Sequence, residues 1–164
     1  MTLTLMQEAA PETVTVVSDL LGPLQLRANE LLHFPSGLLG FPECTDFALV
    51  RAAHPAMFWL QSKQYSTLIF LLVDPFSVDA AYAIEIPPSQ LMALGPHRPS
   101  DVALLAVVTL PESAEGQATA NLQGPIVINF ATRHAKQVVV SDTDFGVRCP
   151  IDMQALTARA VSAQ

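Results

Sequence analysis

The chain has 164 residues, of which 51% are hydrophobic and only 14% are charged. This length predicts one domain, which buries about two thirds of its unfolded surface and needs neither a disulfide nor a metal to fold. The composition excludes a disordered chain or a coiled coil. The formal net charge of −7 disfavours direct nucleic-acid binding, because an acidic surface repels phosphates. The apolar runs are strand-sized, well short of the roughly 20 residues that span a membrane.

Strand signals follow one another along the chain. Segments that are rich in β-branched residues, or that alternate apolar with polar residues, predict strands. Turn-forming glycines and prolines separate most of them. The predicted strands are Thr13–Val17, Leu24–Arg27, Leu31–Phe34, Phe47–Arg51, Met57–Gln61, Thr67–Val73, Tyr82–Ile86, Val102–Leu110, Ile126–Phe130 and Lys136–Val140. Their spacing of roughly 10 residues is typical of a barrel or a sandwich.

The helix signal is weak and short by comparison. Ser89–Gly95 predicts one helix, with Ser89 as its N-cap and Gly95 at its C-terminal end. The alanine-rich tail predicts a second short helix. We therefore expect a mainly β chain with one or two short helices. Residues 1–10 are expected to form a loose N-terminal tail, 11–152 the barrel domain, and 153–164 a short C-terminal helix or tail.

Recognised catalytic and metal-binding patterns are missing from the sequence. The four histidines have no metal-ligand spacing, and no glycine-rich phosphate loop or nucleophile elbow is present. Cys44 and Cys149 are far apart and are interpreted as reduced thiols of a cytoplasmic protein. We therefore predict no catalytic residue, no cofactor and no metal. A small β-barrel enzyme using Asp, His or Cys, and a barrel that binds single-stranded nucleic acid, are the alternatives.

Two aromatic segments are candidates for partner binding. The loop that runs from Phe34 to Pro42 holds two prolines, two glycines and two phenylalanines, so it is expected to fold back over a core. Trp59, the only tryptophan, lies in a predicted strand. It is either a core residue or an anchor in a partner surface, where tryptophan is enriched. Alternation alone leaves both interpretations open.

Several motifs, taken in order, identify a family resemblance. Residues 34–41, FPSGLLGF, resemble the FPEGLPGF signature of the flagellar assembly factor FliW family. Residues 58–62 and 119–129 resemble two further motifs of that family. The remaining landmarks follow in the same order, at 74–76, 84–87, 102–111, 136–139 and 148–151. The resemblance covers about residues 13–151.

This resemblance implies a compact antiparallel β-barrel-like single domain without catalytic activity. It implies a cytoplasmic protein that binds the translational regulator CsrA, relieving repression of flagellin mRNA, and that binds flagellin before export. We expect a monomer that contacts neither nucleic acid nor membrane. Polar amides that precede a strand either pair with a partner's backbone or tie down their own loop. The predicted partner-binding residues are Phe34, Phe41, Trp59, Gln61, Asn121, Leu122, Gln123 and Pro125.

Overall fold

The computed structural model describes residues 12–141 and 143–156, and these form a mainly β domain. Most strands coincide with the β-branched or alternating segments of the sequence. The strands are β1 (Thr13–Ser18), β2 (Gly22–Arg27), β3 (Leu32–His33), β4 (Asp46–Arg51), β5 (Met57–Ser62), β6 (Ile69–Val73), β7 (Val102–Thr109), β8 (Thr119–Ala120), β9 (Ile126–Asn129), β10 (His134–Gln137) and β11 (Cys149–Pro150).

Seven of these strands close into a barrel, in the order β7-β6-β5-β4-β3-β10-β9 and back to β7. All neighbours are antiparallel except β3 and β10, which run parallel with His33 opposite His134. β8 pairs with the far end of β7, and β11 pairs with β8. Closure hides most sheet edges. The predicted β-barrel fold is confirmed.

A separate two-stranded hairpin, β1 with β2, lies outside the barrel sheet. Gly22, with a φ of +78°, allows the chain to reverse there. The Asp19 N–H donates to the Ser66 carbonyl at 3.0 Å, which ties the hairpin tip to the turn after β5. One face of the hairpin is therefore held on the outside of the barrel.

Two short helices interrupt the β structure. α1 (Pro75–Val78) directly follows β6 and is capped by Asp74, whose side chain accepts the Phe76 N–H at 3.0 Å. α2 (Pro88–Met92) begins one residue before the predicted helix. The predicted N-cap at Ser89 is wrong, because Pro88 takes the first helical position, for which its fixed φ is preorganised. Residues 153–156 are helical. The rest of the predicted C-terminal helix, and the predicted N-terminal tail, lie outside the described residues.

The predicted strand at Tyr82–Ile86 is also wrong. These residues alternate in burial, with Tyr82 buried and Ala83 exposed, but they pair with no strand in the described part of the chain. Tyr82, Ile84 and Ile86 instead pack against clusters on the outside of the barrel. The alternation comes from one-sided packing of an extended segment, which gives the same period as a paired strand.

The core consists of three apolar clusters. The first fills the barrel and includes Phe34, Phe47, Leu60 and Leu72. The second and third cover the outer face of β7 and bring in Tyr82, the segment after α1 and the C-terminal residues. No helix among the described residues is long and apolar enough to cross a membrane.

Candidate partner-binding surface

The proline- and glycine-rich loop after β3 folds as a tight turn over the barrel interior. Phe34 is fully buried and packs edge-to-face on Phe47, with ring centroids 5.0 Å apart. Gly37 has a φ of +65°, and a Cβ there would lie 2.5 Å from the Phe41 carbonyl oxygen. Only glycine fits this position. Phe34 and Gly37 therefore fix the shape of the loop.

The tip of this loop presents apolar surface to solvent. Leu39 is 61% exposed, whereas its neighbour Leu38 is buried. Phe41 is half-buried and packs edge-to-face on Phe70 at 5.7 Å. Sequence reasoning selected Phe41 and missed Leu39, because two adjacent leucines in a turn carry no periodicity that says which one faces outward.

Gln61 organises the turn between β5 and β6. Its side chain is fully buried, and its Nε2 donates within a group of backbone carbonyls that includes Ser62 at 2.9 Å and Tyr65 at 3.0 Å. Since an amide NH₂ has two protons, it satisfies two of these carbonyls at a time. Trp59, two residues earlier, is half-buried between Val50 and Leu71 of the flanking strands. Trp59 thus keeps accessible surface and Gln61 does not.

The predicted polar motif at residues 121–125 forms a loop that is tied to itself. The Asn121 Oδ1 accepts the N–H groups of Gln123 at 3.1 Å and Gly124 at 2.9 Å. Leu122 is buried, and its carbonyl accepts the Tyr82 hydroxyl at 2.9 Å. Of the two interpretations of the Asn121 amide, the structure shows loop closure directly.

Gln123 and Pro125 play different parts in this loop. The Gln123 carbonyl accepts the Val140 N–H, while its half-buried side-chain amide has no hydrogen-bond partner among residues 12–141 and 143–156. Pro125 is buried, and its carbonyl accepts the Val138 N–H. The Gln123 side-chain amide is therefore free to meet a partner.

Gln137 joins the two motif loops. Its Oε1 accepts the Leu39 N–H at 3.3 Å, and its Nε2 donates to the Gly124 carbonyl at 3.0 Å. This side chain brings together segments that are far apart in sequence. Val139, two residues further on, is 59% exposed. We call the surface formed by Leu39, Phe41, Gln123, Gln137 and Val139 the two-loop surface.

A second, polar cleft lies between the parallel strands β3 and β10. The His33 Nδ1 lies 2.9 Å from the Asp46 Oδ1, and the His33 and His134 rings are 5.7 Å apart. Arg133 adopts a φ of 62°, and its guanidinium donates to the Glu30 carbonyl. Burial lowers the pKa of Arg133, and Glu30 partly opposes this shift. The cleft is lined by residues of both charge signs.

The two thiols lie in different environments. Cys44 is fully buried, and this burial, followed by the charge of Glu43, raises the pKa of its thiol. The Cys149 Sγ contacts the Gly146 carbonyl at 3.5 Å. Within the described part of the chain, neither sulfur has a histidine within hydrogen-bonding distance. There, too, no three His, Cys, Asp or Glu side chains are grouped so as to hold a metal ion.

A third feature is an apolar groove beside the first half of β7, with a volume of about 620 Å³. Phe58, Phe76, Ile84, Leu91 and Leu104 contribute to its walls, and Asp74 is its one charged lining residue within the described chain. Phe76 is 49% exposed. We call this feature the β7 groove. No sequence motif indicates this groove, since it depends on where β6 stops relative to β7.

The chain matches one protein family over the length of this domain. The family described as "FliW protein" matches residues 15–151. This range contains the barrel, the two-loop surface and the β7 groove.

Similar proteins carry the same description. A flagellar assembly factor FliW from Moorella thermoacetica is 36% identical over 134 residues, covering 81% of this chain and 85% of the relative. One from Leptospira interrogans is 35% identical over 128 residues, covering 77% and 85%. A crystal structure of the flagellar assembly factor FliW superposes with a TM-score of 0.76 at 30% identity, covering 82% of this chain and 94% of that one.

Proposed function

The chain belongs to the FliW family of flagellar assembly factors, and on that premise we propose that it is a non-catalytic partner switch in the cytoplasm. It binds CsrA, which frees flagellin mRNA for translation, and it binds flagellin before export. When flagellin accumulates, it captures the factor. When flagellin is exported, the factor is released. The observation that carries the proposal is the family match across residues 15–151.

The charge of the chain supports the CsrA half of the proposal. A protein that binds RNA is basic where it meets phosphate, so a partner with a net charge of −7 is attracted to it. The same charge keeps the factor itself away from RNA. We expect CsrA association to slow as salt is raised, because steering between exposed charges is screened.

The two-loop surface supports the partner-binding half. It presents Leu39 and Val139, two exposed apolar side chains, together with the free amide of Gln123. Such a mixed patch, held by Gln137 on a rigid barrel, is suited to a protein partner. If the two partners use overlapping parts of it, each weakens the other by the same factor, as linkage requires.

The proposal is tested by competition. A preformed complex of the factor with CsrA is titrated with flagellin and followed by size-exclusion chromatography, while a gel shift reports CsrA bound to flagellin mRNA. We expect flagellin to displace CsrA, and the factor to release RNA from CsrA. Simultaneous binding of both partners without mutual weakening, or binding of neither, would contradict the proposal.

A pair of variants tests the two-loop surface. Gln123→Ala removes a side chain that makes no hydrogen bond within residues 12–141 and 143–156, so we expect weaker partner binding at a nearly unchanged melting temperature. Gln137→Ala separates the two loops and is expected to weaken binding about as much, with a small loss of stability. Val17→Ala, at an exposed position on the outer hairpin, is the control and should bind normally. Normal binding by both glutamine variants would remove this surface from consideration.

A further inference from the structure

The barrel has a gap at the β7 groove, because β6 stops before β7 does. Val73, the last residue of β6, lies opposite Ala106 of β7. The other pairs of this ladder lie toward the C-terminal end of β7. Beyond Val73 the chain enters Asp74-Pro75 and turns into α1. Proline donates no N–H to a ladder and restrains the residue before it, which ends the strand. Among residues 12–141 and 143–156, the first four residues of β7 therefore pair on one side only, with β9.

The backbone groups that face the gap can be identified from the hydrogen-bond alternation. The Phe130 N–H donates to the Asp101 carbonyl, and the Asn121 N–H donates to the Val107 carbonyl, so odd-numbered residues of β7 face β9 and β8. In an antiparallel ladder the even-numbered residues then face the opposite edge. The Val102 N–H turns back to the Pro99 carbonyl. The Leu104 N–H and carbonyl have no partner within residues 12–141 and 143–156.

The surroundings of this edge suit an extended peptide. Phe58 lines the groove on the barrel side, and Ile84 and Leu91 line it on the outer side. Because the side chains of a strand point alternately to its two faces, an added strand has apolar residues to contact on both. Phe76 borders it and is half exposed. The Val102–Leu105 edge is about 13 Å long at the rise of a β-strand, enough for four residues of a partner.

Charge selects among possible occupants. Asp74 lies in the groove wall, whereas Arg51, which stacks on Phe58 at 5.8 Å, does not line it. A second copy of this chain carries a net charge of −7 and is repelled. Of the two terminal segments outside the described residues, 1–11 contains one acidic residue and no Lys or Arg, and 157–164 contains a single Arg, so neither combines several basic residues with large apolar side chains. A segment of another protein that carries basic residues beside apolar ones is attracted both by the Asp74 carboxylate and by the net charge of the chain.

We propose that the open edge of β7 at Val102–Leu105 accepts an extended, basic-flanked apolar segment of a partner protein as an added β-strand. The Leu104 N–H and carbonyl pair with the backbone of that segment, and its alternate side chains enter the β7 groove. The proposal deepens the proposed function by giving the chemistry of one docking segment. Its test uses neither CsrA nor flagellin, so either proposal can fail while the other stands.

The test uses synthetic peptides and the isotope-labelled full chain. The probe is an acetylated, amidated peptide of alternating Thr and Val with Lys at both ends; a second peptide has Glu in place of Lys, and a third has alternate backbone N-methylation. We expect the Lys peptide to give saturable NMR shifts centred on Val102–Leu105 and to slow exchange of the Leu104 amide by about tenfold or more. The Glu peptide and the N-methylated peptide should bind at least about tenfold more weakly.

Two surface variants complete the experiment. Phe76→Lys places in the groove a charge of the same sign as the ends of the Lys peptide, and is expected to weaken binding of that peptide by about tenfold or more. Leu110→Lys changes a similarly exposed apolar residue just past the other end of β7 and should leave binding unchanged. Both positions are at the surface, so the fold is expected to survive.

Several results would overturn the proposal. One is the absence of saturation at about 2 mM peptide, where weak binding is still measurable. Another is equal binding of the N-methylated peptide, which would show that side chains alone are recognised. A Leu104 amide that is already protected in the free protein would mean that the chain covers its own edge. Shifts that depend on protein concentration without peptide would assign the edge to a second copy.

Discussion

Replacing Asn129 by alanine is expected to destabilise the fold by about 2–4 kcal/mol. Asn129 is completely buried at the end of β9. Its Nδ2 donates to the carbonyls of Leu94 at 3.0 Å and Pro96 at 3.1 Å, and its Oδ1 accepts the Ala131 N–H at 3.0 Å. This one side chain therefore holds the chain after α2, next to the β7 groove, against the barrel.

The magnitude follows from which groups lose their partners. The Leu94 carbonyl keeps a hydrogen bond from the Thr132 hydroxyl at 2.7 Å, so it stays satisfied. The Pro96 carbonyl and the Ala131 N–H lose a partner that the structure gives them. Both bonds are part-buried and lie on exposed residues, so each lost partner costs about 1 kcal/mol, at the lower end of the range for a buried group. The cavity left by the completely buried Asn129 side chain adds about 1 kcal/mol. In a chain of this size the melting temperature falls by roughly 2–4 °C per kcal/mol.

The assay is denaturant unfolding followed by Trp59 fluorescence and circular dichroism. Asn129→Asp separates the role of the donor from that of volume, because it keeps the shape but turns an oxygen toward the carbonyls of Leu94 and Pro96. We expect it to be at least as destabilising as Asn129→Ala. Thr132→Val removes a second donor to the Leu94 carbonyl and the acceptor of the His134 N–H at 3.3 Å, and should cost less, about 1 kcal/mol. An Asn129→Ala variant within about 0.5 kcal/mol of the wild type would refute this account of the network.

Three further results are expected. Gly37→Ala should lower the free energy of unfolding, measured with denaturant, more than Gly22→Ala does. Both glycines have positive φ, but only at Gly37 would a Cβ clash with backbone, 2.5 Å from the Phe41 carbonyl oxygen. Equal costs would contradict this contact. Burial, followed by the charge of Cys149, raises the pKa of Tyr82 to about 12, so a tyrosinate absorbance step near that pH should vanish in Tyr82→Phe. Because the unfolded tyrosine ionises near pH 10, stability should fall as pH rises from about 10 to 12, by at most about 1.4 kcal/mol per pH unit. Cys149 should react with a thiol reagent in the folded protein and Cys44 only on unfolding, since Cys44 is fully buried; equal rates would contradict this.

Apolar or alternating runs bounded by turn residues predicted the barrel strands well, because these strands are buried on one face or, as in β9, on both. Met57–Ser62 and Val102–Thr109 lie within one residue of their predicted ends. The same rule failed at Tyr82–Ile86, where one-sided packing without pairing gives the same pattern. An alternation of apolar and polar residues indicates which side of an extended segment is buried. It does not indicate whether the segment is hydrogen-bonded to a neighbouring strand.

The candidate site was less accessible to sequence reasoning than the fold. The 34–41 and 121–125 motifs were selected correctly as loops, but nothing local indicates that Gln137 joins them, since its contact with Leu39 spans 98 positions. Of the eight predicted partner-binding residues, Phe34, Gln61, Leu122 and Pro125 are buried. Their side chains shape the surface from beneath, while contact by the accessible ones stays a prediction.

The short Asp74-Pro75 step has two effects at once. It ends β6 early, and so leaves an unpaired edge on β7, and it places a carboxylate in the wall of the resulting groove. An open edge invites pairing with other copies and aggregation, unless charge or cover prevents it. A net charge of −7 opposes that pairing between copies and favours a basic segment instead. The acidity from which we infer that the chain avoids RNA would thus, under our proposal, also select basic strands at the open edge.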